Sequence, residues 1–270
     1  SPPMEEYHNG LHLRFISIDY LIIMNTTCLY PSLLAALLFA SCGEDNGDCN
    51  CVLPPPEVTY SVEFTNGNES LEVGDTILIN DKQVVVERIQ FYLGDITAKR
   101  GDSSDILIRE VEFISLENTP EDNQFIRTLA KGDYTGLNFS VGINEILNQG
   151  NTAQWNAGDP LSTANNMYWP MGGYIFSKFE GRLITDTVIS VIYHIGREAN
   201  RRDLTFEENF SISGVNNVVI SFDIQKLFGA DGGISIDPTT QNETHTINDP
   251  QLAGIIADNY ANAFSVTFPQ

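Results

Sequence analysis

Positive charge is scarce in this chain. Lys and Arg number 14 against 36 Asp and Glu, giving a formal net charge of −22 over 270 residues. That balance argues against nucleic acid as a partner, because its phosphates would be repelled. It also argues against electrostatic adhesion to anionic lipid, so membrane attachment has to come from acyl chains. The plain reading of the acidity is solubility. Long-range attraction of cations is the functional reading, but charge sign alone selects no metal. A bilayer-spanning helix is missing as well: the apolar run at residues 29–40 is too short to form one. Catalytic signatures are also absent. There is no Gly-x-Ser-x-Gly, no His-Glu-x-x-His and no phosphate loop. Carboxylates abound, but no pair is marked by its context, and the chain is not read as an enzyme.

Cysteine is limited to Cys28, Cys42, Cys49 and Cys51. The run at 29–40 has the length of the h-region of a secretion signal. Leu38-Phe39-Ala40-Ser41-Cys42 resembles a bacterial lipobox, which makes Cys42 the expected lipidation site and Met24 a candidate start. One departure is that no Lys or Arg lies between Met24 and Cys42, where a positive n-region is expected. A cleaved signal without lipid is the alternative. The expected organisation is an upstream segment and signal peptide at 1–41, a tether at 42–56 and one domain at 57–270. Residues 1–41 hold Arg14 against Glu5, Glu6 and Asp19, a net of −2, so the remainder carries −20 of the −22. Gly43 to Pro56 is rich in Gly, Asn, Asp and Pro and reads as a linker, stiffer at its proline end. Cys49 and Cys51, within it, suit either Cu(I) thiolates or an oxidised pair in the tether. A lone Cys-x-Cys is a weak metal signal, and the tether reading is preferred.

From Glu57 onward the texture is that of strands. Alternation or β-branched enrichment predicts strands at Val58–Phe64, Thr76–Ile79, Val84–Thr97, Ile106–Ile108, Glu110–Ser115, Leu137–Val141, Tyr174–Leu183, Val188–Tyr193, Asp203–Ile212 and Asn217–Ile224. Turn residues such as Asn66-Gly67-Asn68, Gly101-Asp102 and Gly132-Asp133 separate them. Helices are few. Asn144–Asn148 gives a turn or two. Gln251–Ala263 gives a longer helix, capped by Asp249 with Pro250 at its first position, and Leu252, Ile255, Ile256 and Ala263 facing inward. A last strand, Ala263–Phe268, closes a sheet. The expected fold class is all-β, an antiparallel β-sandwich with a few short helices.

Soft donors are rationed and clustered. Met167 and Met171 are the only methionines after residue 24, and His194 and His245 are the only histidines after residue 12. The densest stretch is Asn166-Met167-Tyr168-Trp169-Pro170-Met171-Gly172-Gly173-Tyr174, with Glu180-Gly181 and Tyr193-His194-Ile195-Gly196 following. Thioethers, imidazoles and an indole suit Cu(I) better than calcium or magnesium. The bland alternative is core packing, since Met-rich, aromatic-flanked runs are more often core than ligand boxes. The segment Asn148–Asn166 is a long polar connection, and such loops are often functional. Alternation puts His194 on the strand face opposite Tyr193 and Ile195.

Several ordered motifs carry a family resemblance. They are Phe91-Tyr92-Leu93-Gly94-Asp95-Ile96, then Tyr134-x-x-Leu137-Asn138-Phe139-Ser140-Val141-Gly142-Ile143, then Met167-Tyr168-Trp169 through Gly173-Tyr174-Ile175-Phe176, Glu180-Gly181 and Tyr193-His194-Ile195-Gly196. Together they resemble the MbnP-like family of bacterial envelope copper-binding proteins, from about residue 58 to the C-terminus. The resemblance implies an exported β-sandwich that binds copper, chiefly Cu(I), for acquisition or homeostasis. It also implies a lipid-anchored, outer-membrane location, on the periplasmic or the surface face. Family ligands are histidines and a tryptophan oxidised to kynurenine by a di-haem partner of the MauG type; an outer-membrane copper transporter is a further implied partner. The matching tryptophan is Trp169, and the late histidine matches His245. The position two residues after the tryptophan, histidine or tryptophan in relatives, is Met171 here. A thioether there would favour Cu(I) over Cu(II). His194 is either a further ligand or a hydrogen-bonded neighbour.

Two other readings remain. One is a surface lipoprotein binding a glycan or protein without metal, with Trp155 and Trp169 as stacking platforms, which rests on fold analogy. The other is oxygen coordination of calcium by Asp231-Gly232-Gly233 through Asp237. That segment lacks the full EF-hand spacing and reads first as a turn.

Overall fold

The computed structural model describes residues 54–101, 104–230 and 233–270. The expectations for the signal segment, for Cys42, Cys49 and Cys51, and for Asp231 and Gly232 lie outside those residues. In chain order the strands are β1 Glu57–Asn66, β2 Glu69–Ser70, β3 Thr76–Ile79, β4 Lys82–Lys99, β5 Ile106–Ser115, β6 Gln124–Thr128 and β7 Gly132–Val141. There follow β8 Tyr168–Trp169, β9 Gly173–Ile184, β10 Ile189–Gly196, β11 Arg202–Ile212, β12 Asn216–Asp223, β13 Glu243–Thr244 and β14 Phe264–Thr267. The helices are α1 Glu145–Asn148, α2 Ile224–Leu227 and α3 Pro250–Ala263. The expected β-sandwich holds: strands dominate, and α3 lies near the C-terminus.

The smaller sheet has five strands in the order β14-β12-β1-β2, with β6 also on β1. The larger has nine, in the order β11-β7-β4-β9-β10-β13, with β3 and β5 on β4 and β8 on β9. Its spine is β4, long enough to carry two neighbours on each edge. Residues 83–91 pair with β9 and 93–99 with β7, while 82–85 pair with β3 and 90–98 with β5 on the other side. The register slips between Gly94 and Thr97, where Asp95 has φ +48. Gly94 is required at this bulge, because a Cβ there would lie 2.3 Å from the Gly142 carbonyl oxygen.

The pairing departs from the antiparallel expectation in two places. β1 runs parallel to β12, and β10 runs parallel to β13. Each pair joins segments remote in sequence, so no hairpin turn dictates an antiparallel approach. The core between the sheets is aromatic: Phe91, Phe222 and Phe264 meet with ring centroids 5.2–5.3 Å apart. Tyr260 of α3 packs on Phe222. Asp249 caps α3 as its composition predicts, its side chain accepting from Leu252 N at 2.9 Å. Leu252, Ile256 and Ala263 are buried, and Ile255 is partly so. No helix among the described residues is long and apolar enough to cross a membrane.

Candidate functional site

Alternation on β10 works as expected. Tyr193 and Ile195 are buried in the core, so His194 faces outward from the larger sheet. On the neighbouring β9 the same face carries Lys178, in register with His194, and Glu180, in register with Ile192. From β4, Arg88 and Gln90 stand opposite Glu180 and Lys178. Arg88 donates from Nη1 to Glu180 Oε2 at 2.6 Å and from Nε to Glu117 Oε2 at 2.9 Å. The second oxygen of Glu180 lies 2.8 Å from His194 Nε2.

His245 comes from 51 residues further along. Glu243 and Thr244 add to β10 beside Ile192 and Tyr193, and the Tyr193 hydroxyl donates to the Gln241 carbonyl at 2.7 Å. Thr246 fixes the far end. Its hydroxyl donates to the His194 carbonyl at 2.8 Å and accepts from Gly196 N at 2.9 Å. Its φ of +68° is costly for a β-branched residue, about 1–3 kcal/mol. Asn248 Oδ1 accepts from His245 N at 2.6 Å. The two imidazoles are thereby brought together, Nδ1 to Nδ1 at 3.1 Å with rings inclined by 70°. His245 Nε2 lies 3.1 Å from Glu243 Oε1.

Proton counting makes this arrangement informative. Three close polar contacts run through the pair: Glu180 to His194, His194 to His245, and His245 to Glu243. Each contact needs one hydrogen, yet two neutral imidazoles carry only two. If both Nε2–H groups serve the carboxylates, two lone pairs face each other across 3.1 Å. A shared cation, either a proton or a metal ion, would relieve that repulsion. Burial, foremost, pulls the His194 pKa below its ordinary value; Lys178 and His245 act with it, and the hydrogen bond and charge of Glu180 oppose. Burial thus favours the neutral form of the His194 imidazole. The hydrogen bond from His194, helped by Arg88, holds Glu180 below the usual carboxylate range against its own burial.

The rings open onto a cleft of about 710 Å³, whose apolar wall includes Tyr168, Trp169, Ile175 and Ile247. Trp169 sits at the end of β8, opposite Gly173. Gly172 N donates to the Trp169 carbonyl at 2.9 Å, which closes a turn with Pro170 and Met171 at its corners. Gly172 lies flat against the indole: a Cβ there would be 2.9 Å from Trp169 Cε3. Trp169 is 40% exposed on the cleft, whereas Met171 is 88% exposed and outside the cleft lining. The structure thus gathers Trp169, His194 and His245 around one cleft and leaves Met171 out. A turn corner projects into solvent, which is why the thioether does not join them. Met167 is fully buried in a second cluster with Tyr92, Leu161 and Tyr174. Trp155 packs half-buried against that cluster and does not line the cleft, so the two tryptophans form no shared stacking platform. The long connection before β8 is ordered by two short 3-10 turns, and only Asn166 of it reaches the cleft.

Sequence reasoning missed Glu243, Lys178, Arg197 and Thr246. Glu243 stands two residues before His245, and Lys178 two residues before Glu180 on one strand, so both were open to a same-face argument. Nothing in the local sequence marks Thr246 or Arg197. Among the described residues no group of three or more His, Cys, Asp or Glu side chains is placed to hold a metal ion.

The fold and the site together define a β-sandwich with a paired-histidine cleft on the outer face of its larger sheet. The family model described as MbnP matches residues 55–248, and the chain belongs to the MbnP family. Among solved structures it is similar to MbnP from Methylosinus trichosporium, with a TM-score of 0.57 and 12% sequence identity, over 80% of this chain and 99% of that one. At that identity the likeness is one of fold. The comparison with curated proteins returns no match.

Proposed function

We propose that this chain is an envelope lipoprotein that binds copper, chiefly Cu(I), through His194 and His245 beside Trp169, and serves copper acquisition or homeostasis. The observation that carries the proposal is the pair of Nδ1 atoms 3.1 Å apart, each ring having a carboxylate at its Nε2. Metal-ligating histidines characteristically donate their other N–H to a carboxylate, which fixes the tautomer and strengthens the free nitrogen. Two nitrogens each about 2.0 Å from one ion lie about 3.3 Å apart at a tetrahedral angle and about 4.0 Å apart when opposed. The observed 3.1 Å is slightly short of the tetrahedral spacing, and His245 is the more exposed of the two rings. Two imidazole donors suit copper better than calcium or magnesium, which take oxygen ligands.

His194 and His245 are assigned as the donors. Glu180 and Glu243 hold their tautomers, and Trp169 covers one side of the cleft. Bound copper would supply the positive charge that the two lone pairs lack. Met171 is omitted from the ligand set because of its exposed position in the turn. Attachment through Cys42, oxidation of Trp169 to kynurenine by a MauG-type di-haem partner, and exchange with an outer-membrane copper transporter complete the proposal; they follow from the family resemblance and the lipobox. The test is an anaerobic Cu(I) competition titration of the purified protein, with peptide mapping across Trp169. One equivalent of Cu(I) is expected, with affinity reduced at least about 100-fold in His194→Ala and His245→Ala. Unchanged uptake in both variants rules the site out.

A further inference from the structure

The cleft is far larger than one ion needs, and its size falls in the range of organic-ligand pockets. Its polar features are also not those of a metal site alone. Lys178 is only 4% exposed, yet it lines the cleft. Its ammonium donates to the Asn166 carbonyl at 2.8 Å, and no ion pair engages it among the described residues. An ammonium has three hydrogens, so two remain for a ligand. Burial makes the Lys178 charge costly, and the nearby carboxylates Glu180 and Glu117 compensate it only in part, so an anion in the cleft would add to them. Arg197, at φ +68° immediately after β10, supplies a second cation at the cleft and forms no ion pair among the described residues. Glu243 is the one carboxylate in the lining, and it already faces His245. The same cleft is also lined by Trp169, which is 40% exposed, by Tyr168 and by Ile175 and Ile247.

We infer that this cleft binds a small aromatic carboxylate, its ring against Trp169 and its anionic group toward Lys178 and Arg197. In a chain this acidic, two cations lining one apolar cleft give local charge complementarity to an organic anion. The flat indole and aliphatic wall select a planar body over a compact inorganic anion, which would leave them wet. A guanidinium recognises a carboxylate through two parallel hydrogen bonds, and the buried ammonium adds a charge-assisted third. The inference uses residues other than the proposed copper donors and does not require metal.

The test is calorimetric titration of the purified, metal-free full-length protein with benzoate and with benzamide, its neutral counterpart. Benzoate is expected to bind at least about tenfold more tightly than benzamide. Arg197→Gln and Lys178→Met are each expected to weaken benzoate about tenfold, and Trp169→Ala to weaken both compounds. Equal affinity for the two compounds, no benzoate binding, or full affinity in Arg197→Gln overturns the inference. Arg197 is exposed, so its variant decides the question even if Lys178→Met fails to fold. A Cu(I) titration on the same samples separates the two proposals. Benzoate binding without copper uptake sinks the copper site alone, and copper uptake without benzoate binding sinks this inference alone.

Discussion

Glu180 gives the sharpest test of the proposed copper site, because it touches a donor without being one. Its Oε1 holds His194 Nε2 at 2.8 Å and its Oε2 takes Arg88 at 2.6 Å. Replacing it with Leu removes the acceptor and the charge; replacing it with Gln removes the charge and keeps an acceptor oxygen. Loss of such a supporting carboxylate typically costs 10–100-fold in metal affinity, about 1.4–2.7 kcal/mol. Glu180→Gln is expected near the lower end and Glu180→Leu near the upper. Stability should change much less. Arg88 keeps Glu117 at 2.9 Å, and both its pairs are partly exposed, where such bridges contribute about 0–1 kcal/mol. Anaerobic Cu(I) competition and thermal melting, run on the same preparations, separate the two effects. A double-mutant comparison sharpens the test: with His194→Ala already present, Glu180→Leu should have no further effect on residual copper affinity. Wild-type affinity in Glu180→Leu, or an equal loss in both backgrounds, refutes the claim that Glu180 works through the imidazole.

Met171→Ser should leave Cu(I) affinity within about twofold, because Met171 lies at an exposed turn corner; a tenfold loss in the same titration would put the thioether among the ligands. Met167→Ala should destabilise the fold by about 2–5 kcal/mol, seen as a lower denaturation midpoint, because it empties a fully buried position in the second cluster. Asp249→Ala should cost about 1 kcal/mol in the same assay through loss of the α3 cap. Acid should destabilise the metal-free protein. Glu180, lowered mainly by the His194 hydrogen bond, and Asp237, lowered to about 2 mainly by its hydrogen bond from Lys82, both titrate below their unfolded values. Their contributions are complete above those values of 4.5 and 3.8 and are lost as pH falls through the folded ones. Melting temperatures of Asp237→Asn and Glu180→Gln should therefore fall less steeply with acid than those of the wild type.

Much of the fold was legible in the sequence because its signals are local. Alternation along Val58–Phe64 and Asn217–Ile224 reports one buried face per strand, and Asp249-Pro250 marks a helix start wherever it occurs. What escaped were short strands such as Gln124–Thr128 and Glu243–Thr244, which are too brief to show a period and exist only because a neighbour supplies their hydrogen bonds. Ile106–Ile108 and Glu110–Ser115 were read as two strands and form one, since Arg109 continues the pairing with β4.

The site divides along the same line. The chain's own order of residues placed His194 outward on its strand, set Trp169 at the mouth of a glycine-rich turn, and limited the soft donors to a handful. It left open which of them meet. Only the docking of Glu243 and Thr244 along β10, clamped by Thr246, carried His245 to His194, while the corner of a turn carried Met171 away. Proximity across 51 residues is a property of strand pairing and register, which depend on the whole sheet, and no window of neighbouring residues contains that information.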